Sequence, residues 1–138
     1  MTPYWEHYPH QADMGVRGYG ADIAQAFEQT AVAMTAIMLD PVTINPTTAI
    51  SITCQAPDDE MLLVDWLNAL VFEMATRSMI FRRFEVTIEN HALRARAWGE
   101  LLDFARHAPA VEIKGATFTD LGVRPVSGGW RAQCVVDV

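Results

Sequence analysis

Lysine is nearly absent from this chain. Lys114 stands alone beside nine arginines, against 17 acidic residues, for a formal net charge of −7. A protein built to grip nucleic acid tightly neutralises many phosphates and is normally basic, so this composition excludes such binding as the main activity. Any RNA role should run through a protein partner. Cysteine is also scarce: Cys54 and Cys134 are too few for the disulfide framework of a small secreted domain, and both read as small buried apolar groups. No apolar run reaches the roughly 18 residues that cross a bilayer. The stretch Met1-Thr2-Pro3-Tyr4-Trp5-Glu6-His7 lacks the basic start and apolar core of a signal peptide, so the expectation is a soluble, cytoplasmic protein with no membrane partner.

The usual marks of catalysis are missing too. Gly15 to Gly20 has neither the Lys-Ser/Thr ending of a phosphate-binding loop nor the three-glycine spacing of a dinucleotide site. Clustered Cys/His zinc spacing is absent, as is a nucleophile paired with a base. A metal-dependent hydrolase would need a general base with a defined partner, and none can be named. The sequence does not read as an enzyme.

What is present is ordinary globular material. Hydrophobic residues make up 51% and charged residues 20% of 138 positions, enough for one domain over residues 1–138 that buries roughly two-thirds of its extended surface. Met14 to Gly20 is a glycine-punctuated extended run. Asp22 then reads as the N-cap of a helix whose apolar positions Ile23, Ala26, Phe27, Thr30, Ala31, Met34, Ile37 and Met38 recur at 3.6-residue spacing, ending near Asp40-Pro41. Thr47 to Gln55 alternates as a half-buried strand. Pro57-Asp58-Asp59-Glu60 opens a second helix with its acids toward the positive dipole end, and its stripe includes Leu63, Trp66, Leu67, Leu70 and Met74. Phe84 to Ile88 and Leu93 to Ala97 form a hairpin about Asn90-His91, which pairs Thr87 with Arg94 and Glu85 with Arg96. Strands around Ala116 to Val126 and Trp130 to Val136, joined at Ser127-Gly128-Gly129, complete the chain. The order implies an α+β fold, two helices packed on one face of a mixed, mostly antiparallel sheet.

Several polar groups invite a chemical reading. The closing Asp137 and the Val138 carboxylate gather negative charge where a strand runs out, and Asp13 in His10-Gln11-Ala12-Asp13 is a candidate third donor. Hard oxygen ligands suit calcium or magnesium. From spacing alone Asp13 reads equally as a turn residue, Asp137 as a solvated strand end, and His10 as a hydrogen-bonded structural histidine. Lys114 in Glu112-Ile113-Lys114-Gly115-Ala116-Thr117 offers a compact charge to a partner or phosphate, or faces solvent beside an acid. Gly99-Glu100 with Asp103, Arg106 and His107 reads as a polar loop. Arg82, Arg83, Arg94 and Arg96 cluster locally and suit either an RNA or acidic surface, or plain cross-strand neutralisation by Glu85.

Taken in order, these segments resemble the archease family. The resemblance is carried by His10-Gln11-Ala12-Asp13-Met14-Gly15, Ala26-Phe27-Glu28, Leu62-Leu63-Val64-Asp65-Trp66-Leu67-Asn68, Gly99-Glu100, Arg106-His107, Glu112-Ile113-Lys114-Gly115-Ala116-Thr117 and Asp137, over roughly residues 8 to 138. It implies a small α+β protein that assists RtcB-type RNA ligases in tRNA splicing by promoting guanylylation of the ligase and its repeated turnover. It also implies a divalent-metal site, with calcium the expected ion and magnesium an alternative, held by Asp13, Asp137 and the Val138 carboxylate. His10 and Lys114 would then contact the partner or support the site. A chaperone-like role toward tRNA-modifying methyltransferases is a further implication, for which Met34, Met38, Met74 and Met79 are candidate apolar contacts. The chain departs from the family pattern at Pro9-His10-Gln11 and at Thr117-Phe118-Thr119, where Thr119 replaces a histidine often present.

Overall fold

Twelve short elements build the protein in a computed structural model that describes all 138 residues. Strands β1 (Tyr4–His10) and β2 (Asp13–Gly20) form a hairpin, followed by helix α1 (Ile23–Met38) and a 3-10 turn at Pro41–Thr43. Strand β3 (Thr48–Gln55) leads into α2 (Asp59–Arg77), then the hairpin of β4 (Met79–Glu89) and β5 (Ala92–Leu101). A one-turn helix α3 (Phe104–His107), the two-residue β6 (Gly115–Ala116), β7 (Gly122–Val126) and β8 (Gly129–Asp137) follow.

The α+β class is as expected, but the strands divide into two sheets rather than one. A five-stranded sheet runs β1-β2-β8-β6 with β7 also on β8, a three-stranded sheet runs β3-β5-β4, and every pairing is antiparallel. Both helices pack against strands of both sheets, so the apolar stripes of α1 and α2 are covered on two sides.

Both helix starts follow from their caps. The Asp22 carboxylate accepts the Gln25 amide at 2.8 Å, and the Asp58 carboxylate accepts the Met61 amide at the same distance. Ser78, in the left-handed region at φ 53°, stops α2 and lets β4 begin one residue later, several residues earlier than the alternation suggests. Gly18 is where the first sheet meets α1: a Cβ there would lie 2.2 Å from the Ala26 carbonyl oxygen and 2.3 Å from the Thr30 nitrogen. Only glycine allows helix and strand to approach so closely.

A cluster of 27 buried residues fills the space between these layers. Trp66 is its centre, fully buried, donating its indole N–H to the Phe27 carbonyl at 3.1 Å and standing edge-on to Phe84 with centroids 5.9 Å apart. The Asn90-His91 turn forms as its sequence demands, both residues at positive φ (52° and 60°), and pairs Thr87 with Arg94 and Glu85 with Arg96. No helix is long and apolar enough to cross a membrane.

Candidate functional site

The register of the five-stranded sheet assembles one row of residues at its edge. His10 pairs with Asp13 across the β1–β2 turn, and Asp137 pairs with Gly115. Met14 pairs with Val136, so extending the β2–β8 register by one residue sets Asp13 opposite Asp137. Directly opposed residues of an antiparallel pair project to the same face, their Cβ atoms roughly 5 Å apart. The Asp137 carbonyl accepts the Lys114 amide at 2.9 Å, which binds the single lysine's backbone to the same strand end. Residues far apart in sequence, His10, Asp13, Asp137 and Lys114, thus arrive at one edge. Lys114 itself lies in the segment before β6 with its side chain exposed, and it forms no ion pair with Glu112 or any other acid.

The donor set at this edge is chemically apt for a hard divalent ion: two aspartates with the neighbouring Val138 carboxylate supply oxygens only. No three His, Cys, Asp or Glu side chains converge anywhere in the chain, so His10 does not act as a third side-chain donor beside Asp13 and Asp137.

Beneath the row lies a braced layer on the face turned away from α1. A Cβ on Gly15 would sit 2.2 Å from the Tyr8 ring, so glycine is required for that ring to lie across β2. The Arg17 guanidinium stacks 4.0 Å from the Tyr8 centroid, donates to Gln133 at 2.7 Å and pairs with Glu6 at 3.3 Å. Tyr19 donates its hydroxyl to Glu6 at 2.9 Å, and the Gln133 amide donates to the Asp120 carbonyl at 3.1 Å. The Tyr8 hydroxyl is buried with no partner at hydrogen-bonding geometry; burial first, and then the nearby Asp120, push its pKa up. Sequence reasoning missed this layer because it passed over β1. The signal was there in Glu6, Tyr8 and His10, which alternate with Trp5 and His7 before the turn.

The segment expected to be a polar loop is instead a folded cluster. Gly99 and Glu100 belong to β5, and Asp103 caps α3 by accepting the Ala105 and Arg106 amides at 3.1 and 3.2 Å. Buried His107 accepts the Asp103 amide on Nδ1 at 2.9 Å, which leaves Nε2–H to donate to Glu100 at 3.0 Å. Glu100 also receives Arg106 at 2.5 Å and the Asn45 amide at 2.6 Å. Chiefly through the Arg106 hydrogen bond, then the Asn45 amide, its carboxyl is held at about 2, well below its ordinary 4.5. The native state therefore takes up this proton less readily than the unfolded chain, so the stabilisation is complete above pH 4.5 and is lost as pH falls toward 2. Thermal melts across that window should show a steeper loss of melting temperature for the native sequence than for Glu100→Gln; parallel curves would refute the assignment.

The remaining candidates fall elsewhere. Cys134 is buried, and desolvation pushes its thiol up to about 12; Cys54 is half-buried, its pKa also raised by desolvation. Met34, Met38 and Met79 are all buried in the core and Met74 packs against it; Met38, Met74 and Met79 also line an apolar cavity of about 440 Å3 whose lining includes Glu112 and Lys114. Arg83, not Arg96, forms the ion pair with Glu85, at 2.7 Å.

Comparison with known proteins follows the same outline. The family model "Archease protein family (MTH1598/TM1083)" matches residues 5–138. "Protein archease" of Pyrococcus abyssi is 35% identical, covering 97% of this chain and 98% of its own. That of Methanosarcina barkeri is also 35% identical, over 97% of this chain and 95% of its own. The solution structure of Methanobacterium thermoautotrophicum protein 1598 superposes with a TM-score of 0.84 at 28% identity, over 97% and 98% of the two chains. With its fold and nearly its whole length in common with these proteins, the chain belongs to the archease family.

Proposed function

We propose that this protein is a non-enzymatic activator of an RtcB-type RNA ligase, promoting guanylylation of that enzyme and its repeated turnover in tRNA splicing and RNA repair. The observation that carries the reading is the carboxylate row: Asp13 and Asp137 each lie one residue beyond the Met14–Val136 pair of β2 and β8, with Val138 next in the chain. Like charges so placed repel; a divalent ion such as calcium held there would relieve most of that repulsion and offer nucleotide phosphates a hard Lewis-acid centre. The residues' own part is to hold the oxygens together: β2 and β8 fix the two aspartates, and the layer of Tyr8, Arg17 and Gln133 stiffens the strands behind them. Lys114 adds a compact positive charge for the partner or its nucleotide, and His10 flanks the row on the β1 side. In this role the ligase, not this protein, holds and joins the RNA ends, in the cytoplasm.

Purified RtcB-type ligase, supplied with GTP and broken RNA ends, tests the proposal directly. Sub-stoichiometric addition of this protein should raise the number of joins per ligase well above one; equal turnover with and without it would overturn the reading.

A second reading draws on a different observation. Met38, Met74 and Met79 open onto the apolar cavity, and Phe104 beside it is 72% exposed. An apolar cavity with adaptable methionines in its wall and an exposed phenylalanine at its side suits a chaperone-like modulator of tRNA-modifying methyltransferases. Suppression of methyltransferase aggregation in the absence of any ligase would favour this role.

A further inference from the structure

The open face of the three-stranded sheet carries a basic, hydroxyl-rich depression that the activator reading does not use. Alternation along β3, β4 and β5 turns Ile50, Ile52, Val86 and Leu93 into the core and leaves Ser51, Thr53, Thr87, Arg94 and Arg96 exposed on the other side. Register groups them in two rows. Arg96 lies between Ser51 and Glu85, and Arg94 between Thr53 and Thr87. These residues line a shallow hollow of about 300 Å3. At its end the Trp98 indole braces two guanidinium groups, Arg83 at 4.4 Å and Arg96 at 5.1 Å from the ring centroid. Arg83 in turn engages Glu85 at 2.7 Å, while Arg94 and Arg96 form no ion pair.

From this arrangement we infer that the face is a binding site for the backbone of single-stranded RNA, with Arg94 and Arg96 on successive phosphates. Two residues along a strand separate the two guanidinium stems by roughly 7 Å, a step comparable to that between neighbouring phosphates of an extended strand. Guanidinium groups bind phosphate oxygens with two parallel donors, and Ser51, Thr53 and Thr87 add hydroxyl donors beside them. Packing against Trp98 restricts Arg96 before any ligand arrives, so less rotamer freedom is given up on binding. Glu85 decides between ligands. Its charge is met by Arg83, and its carboxylate offers an acceptor that a ribose 2′-hydroxyl or a base amino group can use and that the ionised side chains of an acidic peptide, which carry no donor, cannot. Of the other acids on these strands, Glu89 sits at the hairpin end opposite Ala92 and Glu100 is engaged by Arg106 and His107, both away from the hollow. A small local site of this kind is compatible with a net charge of −7, because only a few phosphates are engaged and the binding is sensitive to salt.

The experiment uses this protein alone, so its outcome does not depend on the ligase reading. Fluorescence anisotropy of a labelled oligouridylate is measured against protein concentration at several low salt concentrations. The double variant Arg94→Ala/Arg96→Ala alters only exposed side chains and should melt as the native sequence does. Its affinity should fall on the order of tenfold, and the slope of log affinity against log salt should flatten by about 1.4, near 0.7 for each phosphate that is no longer neutralised. Arg124→Ala/Arg131→Ala removes a cross-strand arginine pair from the other sheet and should change neither quantity. Three results would each overturn the inference: unaltered binding by the first variant, an equal loss with the second, or displacement of the RNA by polyglutamate with the same dependence on Arg94 and Arg96.

Discussion

Trp66→Ala is expected to lower the free energy of unfolding by about 4 kcal/mol, the range for removing a large aromatic side chain from a core. The indole is fully buried and joins three elements: it sits on α2, donates to the Phe27 carbonyl of α1 at 3.1 Å, and meets Phe84 of β4 edge-on at 5.9 Å. Truncation opens a void that the rigid layers around it cannot close. Trp66→Phe retains most of the apolar contact and loses the hydrogen bond, so its cost should be smaller, about 1–2 kcal/mol. Urea unfolding of the three proteins measures the order directly. A loss below about 1 kcal/mol for the alanine variant would show that the core repacks around the gap.

Asp13→Ala and Asp137→Ala should each abolish calcium uptake in titration calorimetry and return ligase turnover to its unassisted level. Stability supplies an independent readout whose sign depends on the ion. With chelator present, removing one of two facing carboxylates relieves repulsion, so the variants should melt at the same temperature as the native sequence or higher. With calcium present the order should reverse, because an ion that binds only the folded state stabilises it by about 2.7 kcal/mol at a hundredfold excess over its dissociation constant. A native protein that melts identically with calcium and with chelator would remove the metal from the proposal.

Much of this could be read from sequence where local rules act alone. Asp22 and the Pro57-Asp58-Asp59-Glu60 run announced the two helix starts, and Asn90-His91 announced the turn and its register, because caps and tight turns depend on a few adjacent residues. Long-range effects were less visible. The division of the strands into two sheets depends on both helices packing against strands of each sheet, which no window of sequence contains. The extended run from Ala116 to Val126 breaks at Thr117–Leu121 because Thr117 and Thr119 turn their backbone groups to Val135 instead of to a regular ladder. Asp103 to His107 looked like wet loop, since nothing in its composition shows that His107 is buried against Glu100. The carboxylate row was suggested by motif resemblance, and the strand register brings Asp13 and Asp137 to one sheet edge; the brace of Tyr8, Arg17 and Gln133 behind it needed coordinates to be seen.

The pairing of β2 with β8 has a kinetic corollary. Arg17 and Gln133 touch across 116 residues of sequence, whereas β4 and β5 are joined by two. Closing so long a loop is entropically slow, so the β4–β5 hairpin is expected to zip early and the β2–β8 seam late. Asp13 and Asp137 straddle that seam. An ion bound there would act as a clasp on the last closure of the chain, slowing its reopening in proportion to occupancy.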